Sequence, residues 1–285
     1  MPFITVFTPT YNREMKLKQL YDSLCQQNNK NFRWLIVDDG STDGTEKIVN
    51  SWINEEIIDI LYYKQENMGK MRAHNKGVEL CETQYFLCVD SDDYIIPDAI
   101  NIIKEKVCLI DSMDDVIGII LQKRIGNISS SYKFPENTFT TLHGLYASGF
   151  AGETTLVFKT NILRNYPFQV VDGEKFITEA SAYDLIDQKF KYIYFPIEIT
   201  ICEYNDDGYT KNLLNIYRNN PCGYVNYYIQ RARLYNNSHD LELAYMFTFF
   251  IADHGKRKIF RNKGFTTRNK CFGFMRYIRA LFIGR

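Results

Sequence analysis

Four short apolar runs in the first third of the chain each end in a polar cluster, and helical periodicity fills the gaps between them. Residues 3–8, 33–37, 58–63 and 85–89 read as strands, rich in β-branched and aromatic side chains and bounded by turn formers. Between them, Leu17, Leu20, Tyr21 and Leu24 recur at helical spacing. Ile48, Val49 and Trp52 mark a second helix behind the caps Ser41 or Thr42, and residues 71–80 a third. Ile100, Ile103 and Val107 mark a fourth, after Pro97. A β-α succession this dense demands a largely parallel sheet with helices on both faces. In such a sheet the carboxyl ends of the strands share one edge, where ligands bind.

The clusters on that edge carry the chemistry. They are Thr8-Pro9-Thr10-Tyr11-Asn12-Arg13, Asp38-Asp39-Gly40-Ser41-Thr42-Asp43, residues 67–75, and Asp90-Ser91-Asp92-Asp93. Three carboxylates crowded after residues 85–89 repel one another unless a cation offsets them. Aspartate oxygens suit a hard divalent cation, which in turn bridges phosphate oxygens; a helix cap or a solvated turn is the plainer alternative. An aromatic ring at Tyr11, a base-reading carboxylate at Asp39, Arg72 and a metal-binding Asp92 together make a nucleotide pocket. Each is weak alone; their expected convergence carries the weight.

Composition narrows the partners. Lys and Arg total 34 and so do Asp and Glu, giving no net charge and no general case for nucleic-acid binding. No run of about 18 apolar residues is present to span a bilayer. The first residues lack a basic leader and read as a strand, not a signal peptide. Seven scattered cysteines with no C-x-x-C pair fit free thiols in a reducing compartment, so a cytoplasmic location is expected. His143 and His239 are isolated and read as surface or packed side chains, and Trp34 and Trp52 as core.

The middle of the chain is less regular. Residues 116–122, 155–158, 192–195 and 199–203 read as strands, and 176–190 contain a short helix. Beyond about residue 213 the pattern turns helical and aromatic. The expected organisation is three parts, at 1–110, at 111–212 and a helical, basic extension at 213–285.

Thr8 to Asn12, Val37 to Asp43, Gly69 to Gly77 and Asp90 to Asp93, in that order, resemble the family 2 glycosyltransferases, closely over residues 1–110, which the resemblance makes the donor-binding half, and more loosely to about 212, the acceptor-binding half. The resemblance implies a GT-A fold: a Rossmann-like, mostly parallel sheet flanked by helices, here with a helical C-terminal extension. It implies an inverting, metal-dependent transfer of a sugar from a nucleotide diphosphate donor, a UDP-sugar by preference, to a hydroxyl of a glycan or lipid-linked acceptor, in bacterial surface polysaccharide or cell-envelope glycan synthesis. Carried over by position, Thr8, Tyr11, Asp39 and Arg72 hold the base and ribose, and Asp90 and Ser91 belong to the donor site. Asp92 ligates Mn²⁺ or Mg²⁺, which neutralises the leaving diphosphate.

An inverting displacement also needs a base for the acceptor hydroxyl. The family's Glu-Asp pair ahead of a helix is absent here; Thr178-Glu179 stands in its place, making Glu179 the expected catalytic base. Asp172, Glu174 and Asp184 are its rivals. Residues 203–210 form a polar loop where family members often carry a mobile segment.

Three other readings compete. A haloacid-dehalogenase-type phosphatase also places D-x-D after an apolar strand, but on the first strand of its core and with Thr or Val where this chain has Tyr94. A sugar nucleotidyltransferase should carry a glycine-rich loop near its start, and residues 8–13 hold no glycine. A catalytically silent binding protein on the same fold is the third. Separately, His254 to Arg285 hold ten Lys and Arg residues and no Asp or Glu, interleaved with large apolar residues. That pattern fits peripheral contact with an anionic membrane at its inner face, or a helix packed on the catalytic domain with its charges solvated.

Overall fold

The computed structural model describes residues 1–126, 128, 135–202 and 212–283, and of 281–283 only the backbone. The polar loop at 203–210, Arg285 and the side chains of Leu281, Phe282 and Ile283 therefore lie outside the described residues. The chain divides into two compact units, residues 1–167 with 189–204, and residues 168–188 with 205–285.

The first unit opens with β1 (Ile4–Thr10), α1 (Glu14–Cys25), β2 (Phe32–Asp38), α2 (Thr45–Glu55), β3 (Asp59–Lys64), α3 (Lys70–Leu80) and β4 (Tyr85–Cys88). It continues with β5 (Asp93–Ile95), α4 (Ala99–Val107), β6 (Val116–Ile125), β7 (Thr138–Thr140), α5 (Leu142–Ala147), β8 (Glu153–Lys159), α6 (Thr160–Leu163) and β9 (Lys191–Cys202). One sheet holds every strand in the order β3-β2-β1-β4-β8-β6-β9-β5, with β7 also paired to β9.

The alternation along β1 explains the two helical layers. Ile4 and Val6 turn to one face and pack with Leu17, Leu20 and Leu24 of α1, Val49 and Trp52 of α2, and Ile100 and Ile103 of α4. Tyr21, Trp34 and Trp52 stack there, Tyr21 and Trp52 with centroids 4.2 Å apart. Phe7 faces the other side, against α3. A Cβ on Gly77 would lie 2.2 Å from the Phe7 ring, so only glycine lets α3 approach the sheet this closely.

Two sequence expectations are corrected. The sheet is parallel only across β3-β2-β1-β4 and between β6 and β9. The pairs β4–β8, β6–β8, β5–β9 and β7–β9 are antiparallel, so the sheet is mixed. The expected strands at 192–195 and 199–203 are one strand, β9. Pro196 has no N–H for the ladder, and the sheet absorbs it in a bulge. There β6 advances from Ile120 to Gln122 while β9 advances from Tyr194 to Glu198. The short strands β5 and β7 were not anticipated, because three residues carry too little period to read.

The second unit is helical in its described residues: α7 (Ala180–Ile186), α8 (Leu213–Asn219), α9 (Pro221–Leu234), α10 (Ser238–Phe247), α11 (His254–Arg261) and α12 (Thr267–Ile283). Tyr217, Tyr224, Tyr228 and Phe247 form an aromatic cluster joining α8, α9 and α10. Against α10, α12 packs by Gly273, where a Cβ would stand 2.6 Å from the Glu242 carbonyl oxygen. Arg276 pairs with Glu242 at 3.2 Å, and Tyr277 stacks on Phe249 at 4.9 Å. His239 is not isolated: its Nδ1 lies 3.4 Å from Glu242 Oε2. Among the described residues no helix is long and apolar enough to cross a membrane.

Candidate active site

In the first unit, hydrogen bonds chain the four edge clusters together. After β1 the backbone turns through Asn12, whose φ of 51° is left-handed; asparagine tolerates that region better than most residues. The Asn12 N–H donates to Ser41 Oγ at 2.8 Å, and Thr42 N–H donates to Asn12 Oδ1 at 2.8 Å. These bonds clamp the loop after β1 to the loop after β2.

Asp38 and Asp39 then anchor β3 and the start of α3. The Asp38 carboxylate accepts from Ser41 N–H at 2.7 Å and from the Tyr62 hydroxyl at 2.5 Å. Asp39 is buried at 4% exposure and accepts from Gln65 Nε2, Met68 N–H and Gly69 N–H, at 2.8, 2.8 and 2.7 Å. It thereby occupies the amino end of α3, where a carboxylate is favoured. Three of its roughly four acceptor positions are in use, leaving little for a base to bind. Arg72, one turn into α3, donates to the Met68 carbonyl at 3.1 Å.

The first residue of α3 reaches the acidic cluster. Lys70 Nζ lies 2.8 Å from Asp90 Oδ1. Burial opposes the Asp90 charge, but Lys70 and Lys123 outweigh it and hold the carboxyl down at about 2. Asp93 N–H donates to the Asp90 carbonyl at 3.0 Å, closing the turn that carries buried Ser91 and half-buried Asp92. Beyond the turn, Asp93 pairs with Lys123 of β6 at 2.9 Å.

The expected donor residues thus divide between surface and core. Tyr11 is 46% exposed, and Arg72, Asp90 and Asp92 are partly exposed. Thr8 is turned into the core: it is fully buried, and its hydroxyl accepts the Trp34 indole N–H at 3.0 Å. Thr10, two residues on, is also buried, and its hydroxyl has no hydrogen-bond partner among the described residues. Sequence reasoning passed over Lys70 and Lys123. Lys70 sat inside the third cluster, and Lys123 fell one residue past the expected end of its strand.

Asp90 and Asp92 fit a hard divalent cation by donor type. No group of three potential ligands occurs among the described residues. Mg²⁺ and Mn²⁺ can be held by one or two protein carboxylates, with diphosphate oxygens and water in the remaining positions.

In the second unit the candidate bases separate by their partners. Glu174 is 7% exposed, and its two oxygens accept from Cys222 and Gly223 N–H at the start of α9, at 2.7 and 2.8 Å. Burial raises its carboxyl against these bonds. Asp184 is 7% exposed and accepts from the Tyr235 hydroxyl at 3.1 Å. Glu179 and Asp172 are exposed, Glu179 directly ahead of α7.

The model of glycosyl transferase family 2 matches residues 5–142. Glycosyltransferase GlyA of Streptococcus pneumoniae is 38% identical over 104 residues, 36% of this chain and 15% of that protein. The GalNAc(5)-diNAcBac-PP-undecaprenol beta-1,3-glucosyltransferase of Campylobacter jejuni is 25% identical over 226 residues, 76% of this chain and 71% of that protein. GlyA is thus matched over well under two thirds of its length. S. aureus TarS 1–349, solved with UDP-GlcNAc, shares the fold at a TM-score of 0.60 and 17% identity, over 98% of this chain and 81% of that one. The fold is GT-A, and residues 5–142, just under half of the chain, are similar to glycosyl transferase family 2.

Proposed function

We propose that the protein is an inverting, metal-dependent glycosyltransferase that moves a sugar from a nucleotide diphosphate donor, a UDP-sugar by preference, to a hydroxyl of a glycan or lipid-linked acceptor of the bacterial cell envelope. The observation that carries the reading is the bonded chain of four loops on one sheet edge, ending at Asp90 and Asp92. Those loops carry an exposed aromatic ring, a basic side chain and paired carboxylates, the set a nucleotide diphosphate needs. The UDP preference draws on the TarS complex with UDP-GlcNAc, and the acceptor class on the undecaprenol-linked substrate in the Campylobacter enzyme's name.

In this reading Tyr11 stacks on the base, Arg72 faces the ribose and Asp90 lies on the donor side. Asp39 shapes the pocket by fixing the amino end of α3, and Thr8 by holding Trp34. Asp92, with Asp90, would hold Mn²⁺ or Mg²⁺, whose charge stabilises the leaving diphosphate when bound. Glu179 takes the proton of the acceptor hydroxyl as it attacks. The support for Glu179 is its place ahead of α7, where the family's Glu-Asp pair would stand; of its rivals, both oxygens of Glu174 serve a helix end and Asp184 is buried on Tyr235, which leaves Asp172 as the competitor. A silent binding protein on this fold would bind donor without turnover.

A panel of nucleotide sugars, assayed for hydrolysis without acceptor across a Mn²⁺ titration, tests the proposal. Metal-dependent hydrolysis of at least one donor is expected, with Asp92→Asn abolishing it and weakening donor binding only when metal is present. Equal donor affinity of wild type and Asp92→Asn throughout the titration removes the metal assignment. Donor binding with no hydrolysis or transfer returns the silent protein.

A further inference from the structure

The outward side of α12 is apolar, and the helix cannot turn it inward. Asn269, Gly273, Arg276 and Tyr277 commit the opposite side to α10 and its following segment. Gly273 lies against the Glu242 backbone, Arg276 pairs with Glu242, and Tyr277 stacks on Phe249. Cys271, Phe274, Met275 and Ile278 recur at i, i+3, i+4 and i+7 on the remaining side, with Phe274 at its margin, its ring centroid 5.5 Å from that of Phe249. Phe274, Met275 and Ile278 are 48%, 51% and 38% exposed, and Phe272 beside them 43%. Large apolar residues left on a surface singly are ordinary; a contiguous strip of them marks an interaction site.

Charge selects the occupant. Arg268, Lys270 and Arg279 are exposed on the same helix, as are Lys256 and Lys258 on α11. No carboxylate lies between His254 and Arg285 to meet them. A two-fold contact between copies of this strip would press basic rims together, because such an interface sets the same patch on both subunits. A nucleic-acid backbone would satisfy the cations and leave the four apolar side chains wet. An anionic bilayer accepts both, taking the apolar residues below the headgroups and the cations among them.

We propose that the outward face of α12, with its own exposed Arg268 and Arg279, docks on an anionic phospholipid surface. Its purpose, though not its geometry, rests on the membrane-borne acceptor proposed above. Full-length protein is co-sedimented with vesicles of phosphatidylglycerol and phosphatidylcholine, and with phosphatidylcholine alone, at low and high salt. Binding to the anionic vesicles alone, lost at high salt, is expected. Arg268→Gln with Arg279→Gln should lower partitioning by about fivefold per charge, roughly 25-fold together, and Met275→Glu with Ile278→Glu should abolish it. Circular dichroism melts establish that each pair of changes folds. Equal pelleting of either folded variant and wild type, or equal binding to neutral vesicles, overturns the proposal. So does a dimer in sedimentation velocity that Met275→Glu with Ile278→Glu dissociates. Donor hydrolysis on the same samples keeps the two readings apart: vesicle binding without hydrolysis sinks the enzyme and spares the surface.

Discussion

Lys123 Nζ donates to Asp93 Oδ2 across 2.9 Å, tying β6 to the residue that ends the acidic run after β4. Their side chains are 15% and 7% exposed. Burial pushes the Asp93 carboxyl up, with Asp90 and Asp92 adding to it, and Lys123 holds it back. Burial likewise opposes the Lys123 charge, and Asp93 and Asp90 outweigh it. The pair, with Lys70 on Asp90, thus offsets the charge of three acidic residues in one turn.

Removing one partner leaves the other charge buried. Lys123→Met should cost about 3–5 kcal/mol near neutral pH, and Lys123→Met with Asp93→Asn should recover most of it. Without Lys123 the Asp93 carboxyl rises further above its unfolded value, so the folded state holds a proton that the unfolded chain releases. The destabilisation relative to wild type should therefore grow as pH rises from about 6, where the wild-type carboxyl ionises, to about 8. Urea denaturation across that range measures it; a loss independent of pH would show that packing, not charge, is the cause.

His74 on α3 gives the opposite slope. It is 5% exposed and stands edge-on to Phe7 and Phe86, with centroids 5.5 and 5.4 Å away. Burial first, then Lys70, push its imidazole down to about 3. Below the unfolded value of about 6.5 the unfolded chain takes up a proton that the folded state refuses, so stability falls as pH drops from there toward 3. The contribution at stake is a few kcal/mol, since each unit is about 1.4 kcal/mol. His74→Leu should flatten the acid limb of a Tm-against-pH curve; an unchanged limb would assign acid unfolding to other groups.

The carboxylates of the second unit should divide by what they lose. Glu179→Gln should lower turnover about 10²–10⁴-fold with donor affinity unchanged, as expected for a proton acceptor. Glu174→Gln should act on stability, by about 1–3 kcal/mol, because the first N–H groups of α9 lose a charged acceptor. Thermal melts and single-turnover kinetics on both variants separate the roles. Full activity in Glu179→Gln beside a loss in folded Asp172→Asn would move the base to Asp172.

Long-period features were legible in the chain. Leu17, Leu20, Tyr21 and Leu24 gave α1, and all four are buried as expected. The apolar runs at 33–37 and 85–89 lie within or overlap β2 and β4. Shorter or compensated features were not legible. β5 and β7 are three residues each, and β9 runs on through Pro196 because a bulge in its pairing with β6 accommodates the missing donor.

The sequence by itself determined the alternation of strand and helix, the polar cluster at each strand end and therefore the shared edge. These arise from periodicity and turn chemistry, which act over a few neighbouring residues. Only the tertiary structure decided what each polar group on that edge does. Asp39 spends its acceptors on α3, and Thr8 turns to Trp34. Lys70 and Lys123 come from other elements to hold Asp90 and Asp93. A carboxylate's role depends on burial and on the cations within a few ångströms, and those are supplied by residues distant in the chain.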